Sequence, residues 1–252
     1  MGVGVFSGRP AGGVFSCREP LGAFFVRAGG HRPPAAPPVL AAAKYAAMGK
    51  NRQRSVLLIK IKQQKQIRAF LTETFGSARG EALSAQQEKL LGALIERTEN
   101  RSKAQMKTLV QTILPRVALY QALGQSGLSK EDAYAHMRSY MLDRVGAEKH
   151  AATAKLEAVP GFYFLYSRIF LHIMRTTDLQ ESTQAWGRGW FDVTIRRCLW
   201  HSACVENGCP ELCRLFCDVD DVTYGGLKKL GFTRAKTLGY GGDCCDFHFF
   251  KK

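Results

Sequence analysis

The residues best able to do chemistry crowd the last sixty positions. "YGGDCCDF" (240–247) packs two glycines, two acids and two adjacent cysteines together, directly before "HFFKK". Upstream, "CDVDD" sets Asp218, Asp220 and Asp221 just after Cys217. Seven of the eight cysteines lie between 198 and 245, at Cys198, Cys204, Cys209, Cys213, Cys217, Cys244 and Cys245. Carboxylates of this kind can act as general bases for water. A thiol beside them is not activated, because negative charge raises its pKa, so a reactive cysteine needs a cation. His201, His248, Arg234 and Lys236 are the cations that the local sequence offers.

Three uses compete for the cysteines. Disulfides do not persist in a reducing compartment. Zinc sites favour closely paired ligands, and the spacings here run five, four, three and three intervening residues, with no C-x-x-C pair. Cys209, Cys213 and Cys217 recur every four residues, so a helix stacks them on one face, where small apolar thiols serve as core. Around the glycines, an extended 243–247 puts Asp243, Cys245 and Phe247 on one face and Cys244 and Asp246 on the other, with His248. Gly241 and Gly242 read as a turn that needs a positive φ.

Stepping outward along the chain, the positioning elements are helical first. Apolar residues recur at three- and four-residue spacings at Leu83, Leu90, Leu91, Leu94 and Ile95, and again at Leu109, Ile113, Val117, Tyr120 and Leu123. Pro115 bends or restarts the second run. Gly124 and Gly127 stop it, and Ser129 with Asp132 starts the next helix, which makes a helical hairpin. "VPGFYFLYSRIFLHIMRTT" (159–177) reads as an amphipathic helix, too short and too charged in its middle to span a bilayer. "FDVTIRRCLW" (191–200) has strand character, short helices follow around Gly208 and Pro210, and two strand-like runs flank Gly239–Gly242. The order is that of an α+β fold: N-terminal helical hairpins followed by a small antiparallel sheet with short helices. Residues 51–252 read as a single domain, mainly helical over 51–178 and cysteine-rich α+β over 179–252.

The formal net charge of +15 is unevenly spread. Residues 1–50 carry six Lys/Arg against one acid, and residues 51–110 twelve against five, whereas 190–252 is nearly balanced at nine against eight. No RNA-binding aromatic set or zinc-finger spacing accompanies the charge, so nucleic acid is not an expected partner, and neither is a membrane. Residues 1–50, rich in Gly, Ala, Pro and Arg and almost free of acids, read as a disordered leader with the composition of a mitochondrial or plastid transit peptide. The chain behind it reads as soluble, with a cytoplasmic location if the leader carries no address.

A resemblance joins these features. "ILPRVALYQALGQSGLSKEDA" resembles the "LYxALxxxGLSxEEA" hairpin of the L-2-aminothiazoline-4-carboxylate hydrolase family. The C-terminal run is closer still. It has a family-like "FDVT…C" in Phe191–Cys198, with Arg196 and Arg197 where one residue is expected, then "ELCxLFCxxD" and "FxRxKTLxxGGDxCDFxF". The likeness runs over about 55–252. It implies a hydrolase of α+β fold that takes a small-molecule substrate and opens a cyclic isothiourea amino acid to N-carbamoyl-cysteine; no cofactor is expected, and the cysteine spacing argues against a metal. The matched positions offer Asp243, Asp246, Asp218 and Cys245 for catalysis, and Arg234, Lys236, Asp221, Gly241 and Gly242 for substrate binding. Cys217 is a further thiol, and of the doubled cysteine Cys245 is the one that belongs to the motif. The alternative is a non-catalytic ligand-, metal- or redox-binding module on the same fold. The oligomeric state is not legible.

Overall fold

A computed structural model describes residues 61–252, which lie within one compact unit, Ala46–Lys252. The expected leader falls outside the described residues. The chain begins with a hairpin of α1 (Lys62–Phe75) and α2 (Ser77–Glu96), turned at Gly76 with φ of 79°. Gly80 lets the two helices approach closely: a Cβ there would sit 2.6–2.7 Å from the backbone of Leu71 and Thr72. Next come α3 (Lys103–Thr108), a π-helical turn at Leu109–Ile113, and α4 (Leu114–Gly124). The wide turn falls just before Pro115, where the missing backbone donor would interrupt a regular helix. Ser129 caps α5 (Lys130–Ser139) by accepting from the Asp132 N–H at 3.0 Å, as its spacing predicts. A second π turn (Tyr140–Gly146) leads into α6 (Ala147–Leu156), and α7 spans Phe162–Thr176.

The sheet is antiparallel with the order β1-β2-β4-β3, from β1 (Gln180–Gly187), β2 (Trp190–Cys198), β3 (Leu230–Thr233) and β4 (Cys245–Lys251). Between β2 and β3 run α8 (Leu199–Glu206) and α9 (Leu212–Tyr224). β1 is the element that the sequence pattern did not announce. "QESTQAWG" lacks an apolar alternation because β1 is an edge strand with no buried position. The two-residue turn Arg188–Gly189, with Gly189 at φ of 86°, brings it onto β2.

Two apolar cores result. One is helical and joins Leu71, Leu91, Ile113, Val117 and Tyr140 to Leu212 and Leu215 of α9. The other lies between α7 and the sheet, around Phe191 and Phe249, whose rings stack with centroids 4.7 Å apart. Glu157 links α6 to β3, its buried carboxylate accepting backbone N–H bonds from Lys228, Lys229 and Leu230 at 2.9, 2.5 and 3.2 Å. Burial alone would raise its pKa, but these three donors outweigh that and hold it below the usual range. No helix among the described residues is long and apolar enough to cross a membrane.

Candidate active site

The face of α9 that carries Cys213, Phe216, Cys217, Asp220 and Tyr224 at helical spacing walls a cavity of about 250 Å³. The other walls come from every layer: Arg116 of α4, Lys149 of α6, Phe170 and Met174 of α7, Cys198 of β2, and Cys245 and Phe247 of β4. The cavity therefore sits where the helical core, α7 and the sheet meet. Its size suits an amino-acid-sized molecule rather than a large cofactor.

Three charged groups converge there. Arg116 is 5% exposed, its Nη1 donates to the Thr112 carbonyl at 3.2 Å, and its guanidinium lies 5.5 Å over the Phe216 ring. Its Nε is buried with no partner among the described residues. Burial lowers its pKa, with the neighbouring Tyr140 phenol acting in the opposite direction. Lys149 has accessible surface but lines the cavity, where desolvation lowers its pKa and Asp220 raises it. The Asp220 side chain keeps 30% of its surface accessible and lines the cavity. The surrounding protein dominates its electrostatics: desolvation pushes its pKa up to about 6, against the pull of Lys149 and Arg234, while Asp221 adds to the rise. A carboxylate that titrates near neutrality, partly desolvated and near cations, is suited to moving a proton at physiological pH.

The thiols form an ordered array along α8 and α9. Cys213 lies between Cys204 and Cys217, and hydrogen bonds from both lower its pKa; Cys204 is raised first by Cys209 and then by Cys213, and Cys217 first by Cys213. His201 also favours a Cys213 thiolate. Burial pushes the Cys198 thiol up to about 12 and raises that of Cys245 as well. Among the described residues, no group of three or more His, Cys, Asp or Glu side chains could hold a metal ion.

The residues that the sequence singles out fall into three places. Cys245 lines the cavity, and its Sγ accepts from the Leu238 N–H at 3.4 Å. Asp218, Asp221, Arg234 and Lys236 come together with Tyr240 in a separate, open dent of about 200 Å³. There Tyr240 donates to Asp218 at 2.9 Å. Arg234 stands between dent and cavity: it is 8% exposed, donates to Asp221 at 2.5 Å and to the Cys217 carbonyl at 3.0 Å, and reaches within 4.0 Å of Asp220. Asp243 is on the outer surface, paired with Lys236 at 2.7 Å, which lowers the carboxyl pKa and raises that of the amine.

Asp246 accepts from the Ala235 and Lys236 N–H groups at 3.0 and 2.8 Å, tying that loop to β4. Gly241 has φ of 83°, whereas Gly242 is needed for closeness, since a Cβ there would sit 2.9 Å from the Thr237 carbonyl oxygen. Gly239 plays the same part against α9, where a Cβ would meet Cys217 Sγ at 2.9 Å.

Arg116 and Lys149 carried no sequence signal, because each is one cation among many on a helix. Asp220 did carry one: it follows Cys213 and Cys217 at the spacing that keeps a single helix face.

The sequence profile of the family described as L-2-amino-thiazoline-4-carboxylic acid hydrolase matches residues 103–249, the span from α3 into β4 that contains every wall of the cavity. Neither the curated proteins nor the solved structures contain a match.

Proposed function

Because the chain belongs to the L-2-amino-thiazoline-4-carboxylic acid hydrolase family, whose profile covers more than half of it, we propose that it hydrolyses a small cyclic isothiourea carboxylate in the cavity beside α9. The observation that carries this reading is the convergence of Asp220, raised to about 6, with Arg116 and Lys149 in one cavity of amino-acid size. The reaction asks for three things. A cation must hold the substrate carboxylate, and the unpartnered Nε of Arg116 and the Lys149 ammonium suit that role. A base must take a proton from water as its oxygen bonds to the ring carbon between sulfur and nitrogen, and ionised Asp220 is that base. When the carbon–sulfur bond breaks, its electron pair stays on sulfur, which takes up a proton to become the product thiol. Attack moves the C=N π pair onto nitrogen; Asp220 then returns to sulfur the proton that it took, and the remaining hydroxyl proton passes to that nitrogen as the carbon becomes the carbamoyl carbonyl.

On this reading Asp243 and Asp246, occupied by Lys236 and by two backbone donors, shape the loop, and Cys245 is a wall of the cavity. Arg234 tunes Asp220 from behind. A second reading has one specific support, the hydrogen bonds that favour a Cys213 thiolate. That thiolate would attack the same carbon and leave an amidino-enzyme for water to resolve.

The test incubates the full chain with L-2-aminothiazoline-4-carboxylate and follows thiol release. Loss of turnover in Asp220→Asn, with Cys213→Ala and Cys245→Ala near the wild-type rate, is the expected outcome. Loss in Cys213→Ala, together with a trapped covalent adduct on the wild type, would transfer the chemistry to the thiol. No turnover by folded wild type would remove this substrate.

A further inference from the structure

α7 is apolar on two faces, and only one is used. Phe162, Tyr163, Leu171 and Met174 are buried, whereas Phe164, at 58% exposure, Leu165 and Ile169 are exposed. The buried face alone accounts for an amphipathic helix, so this second apolar strip has no partner among the described residues. It does not stand alone. The tip of the β1–β2 hairpin places Trp186, 61% exposed, and Trp190 beside it, and a groove of about 660 Å³ runs between helix and hairpin. Arg168, Arg175 and Arg188 line that groove together with His172, and among the described residues no carboxylate does. Arg175 lies 5.5 Å over the Trp186 ring and Lys251 lies 5.5 Å over Phe164, so the cations are interleaved with the aromatic rings. A large exposed apolar patch marks an interaction surface, and the one-signed charge selects the partner.

We propose that the outer face of α7 and the hairpin tip form a docking surface for an anionic lipid bilayer. Charge decides against two other occupants. An isologous contact with a second copy would set the same arginines against each other. The N-terminal sixty residues carry nine Lys/Arg and one acid, so their charge does not complement the patch. Tryptophan at the headgroup level, aliphatic side chains below it and arginines reaching for lipid phosphates are the chemistry of an interfacial surface. Peripheral docking needs no spanning helix, so it is compatible with the absence of one among the described residues.

The experiment sediments the full chain with vesicles of phosphatidylcholine alone and of phosphatidylcholine mixed with phosphatidylglycerol. The expected result is partition onto the anionic vesicles only, weakened by salt, with a blue shift of tryptophan emission. Each arginine removed from the patch weakens partition about fivefold, so Arg168→Glu with Arg175→Glu loses at least tenfold. Trp186→Ala with Phe164→Ser abolishes the blue shift. Arg79→Glu with Arg138→Glu changes the charge equally at exposed sites elsewhere and leaves most of the partition intact.

Three results would overturn the proposal. In the first, the chain ignores both vesicle types. In the second, the patch variants partition as well as wild type, which would assign any binding to the basic N-terminal sixty residues. In the third, the patch joins two copies or takes an acidic protein: wild type forms a dimer that Ile169→Glu dissociates, or it binds polyglutamate but no vesicles.

Discussion

Asp220→Asn is the perturbation for which the structure gives both a sign and a size. Protein surroundings move this carboxyl from its ordinary 3.8 to about 6. The folded chain thus holds the proton more tightly than the unfolded chain does. The contribution of Asp220 to stability is full below the unfolded value, near pH 4, and is lost as pH rises through 6. A shift of about two units, at about 1.4 kcal/mol per unit, makes ionising Asp220 in the folded state about 3 kcal/mol dearer than in the unfolded one. Asparagine has nearly the shape of the protonated acid and cannot ionise. The variant should therefore be more stable than wild type by up to about 3 kcal/mol at pH 8 and nearly equal to it at pH 4.

Its turnover should fall at least a hundredfold, the usual contribution of a general base. Urea denaturation of both proteins at pH 4, 6 and 8 measures the stability difference, which cancels the other titrating groups they share. Thiol release measures the rate, and the wild-type rate should rise with pH to half its plateau near 6. A variant less stable than wild type at pH 8, or a difference that does not change between pH 4 and 8, would refute the electrostatic reasoning. A stabilised variant with full activity would leave the electrostatics standing and remove Asp220 from the chemistry.

Arg116→Met should raise KM about ten- to a hundredfold with a smaller effect on kcat, the loss expected when a charge-assisted bond to the substrate carboxylate is removed; steady-state kinetics separates the two. Glu157→Ala should destabilise by about 2 kcal/mol in urea, because three backbone donors, one buried and two partly buried, lose their acceptor. The carboxylate is held below its usual range, so its stabilisation is present above the unfolded pKa and is lost as pH falls through the lowered one; the cost of the variant should shrink on acidification. Asp246→Asn keeps one acceptor oxygen for the Ala235 and Lys236 donors, so turnover should stay within a few-fold of wild type while Tm falls modestly.

Much of the architecture was legible because its causes are local. Ser129 caps its helix with an oxygen three residues from the donor, and Pro115 disturbs the turn just before it. The alternation of Cys245, Phe247 and Phe249 against Asp246 and His248 follows from the pleat, and β4 buries the first set. β1 was not legible, since an edge strand that buries nothing carries no period, and only its pairing with β2 makes it a strand.

The site divides along the same line. Sequence alone determined that acids, thiols and glycines meet in the C-terminal segments, that this follows the pattern of a hydrolase family, and that Gly241 turns the chain. It offered Asp218 for catalysis and Asp221 for binding and passed over Asp220, because nothing local separates three like residues within four positions. Tertiary structure gives each different surroundings: Tyr240 for Asp218, the outer side of Arg234 for Asp221, and for Asp220 the cavity, with Lys149 and Arg116 delivered by other helices. Desolvation and the field of distant charges set a carboxyl's pKa, and both are properties of the assembled layers rather than of any stretch of chain.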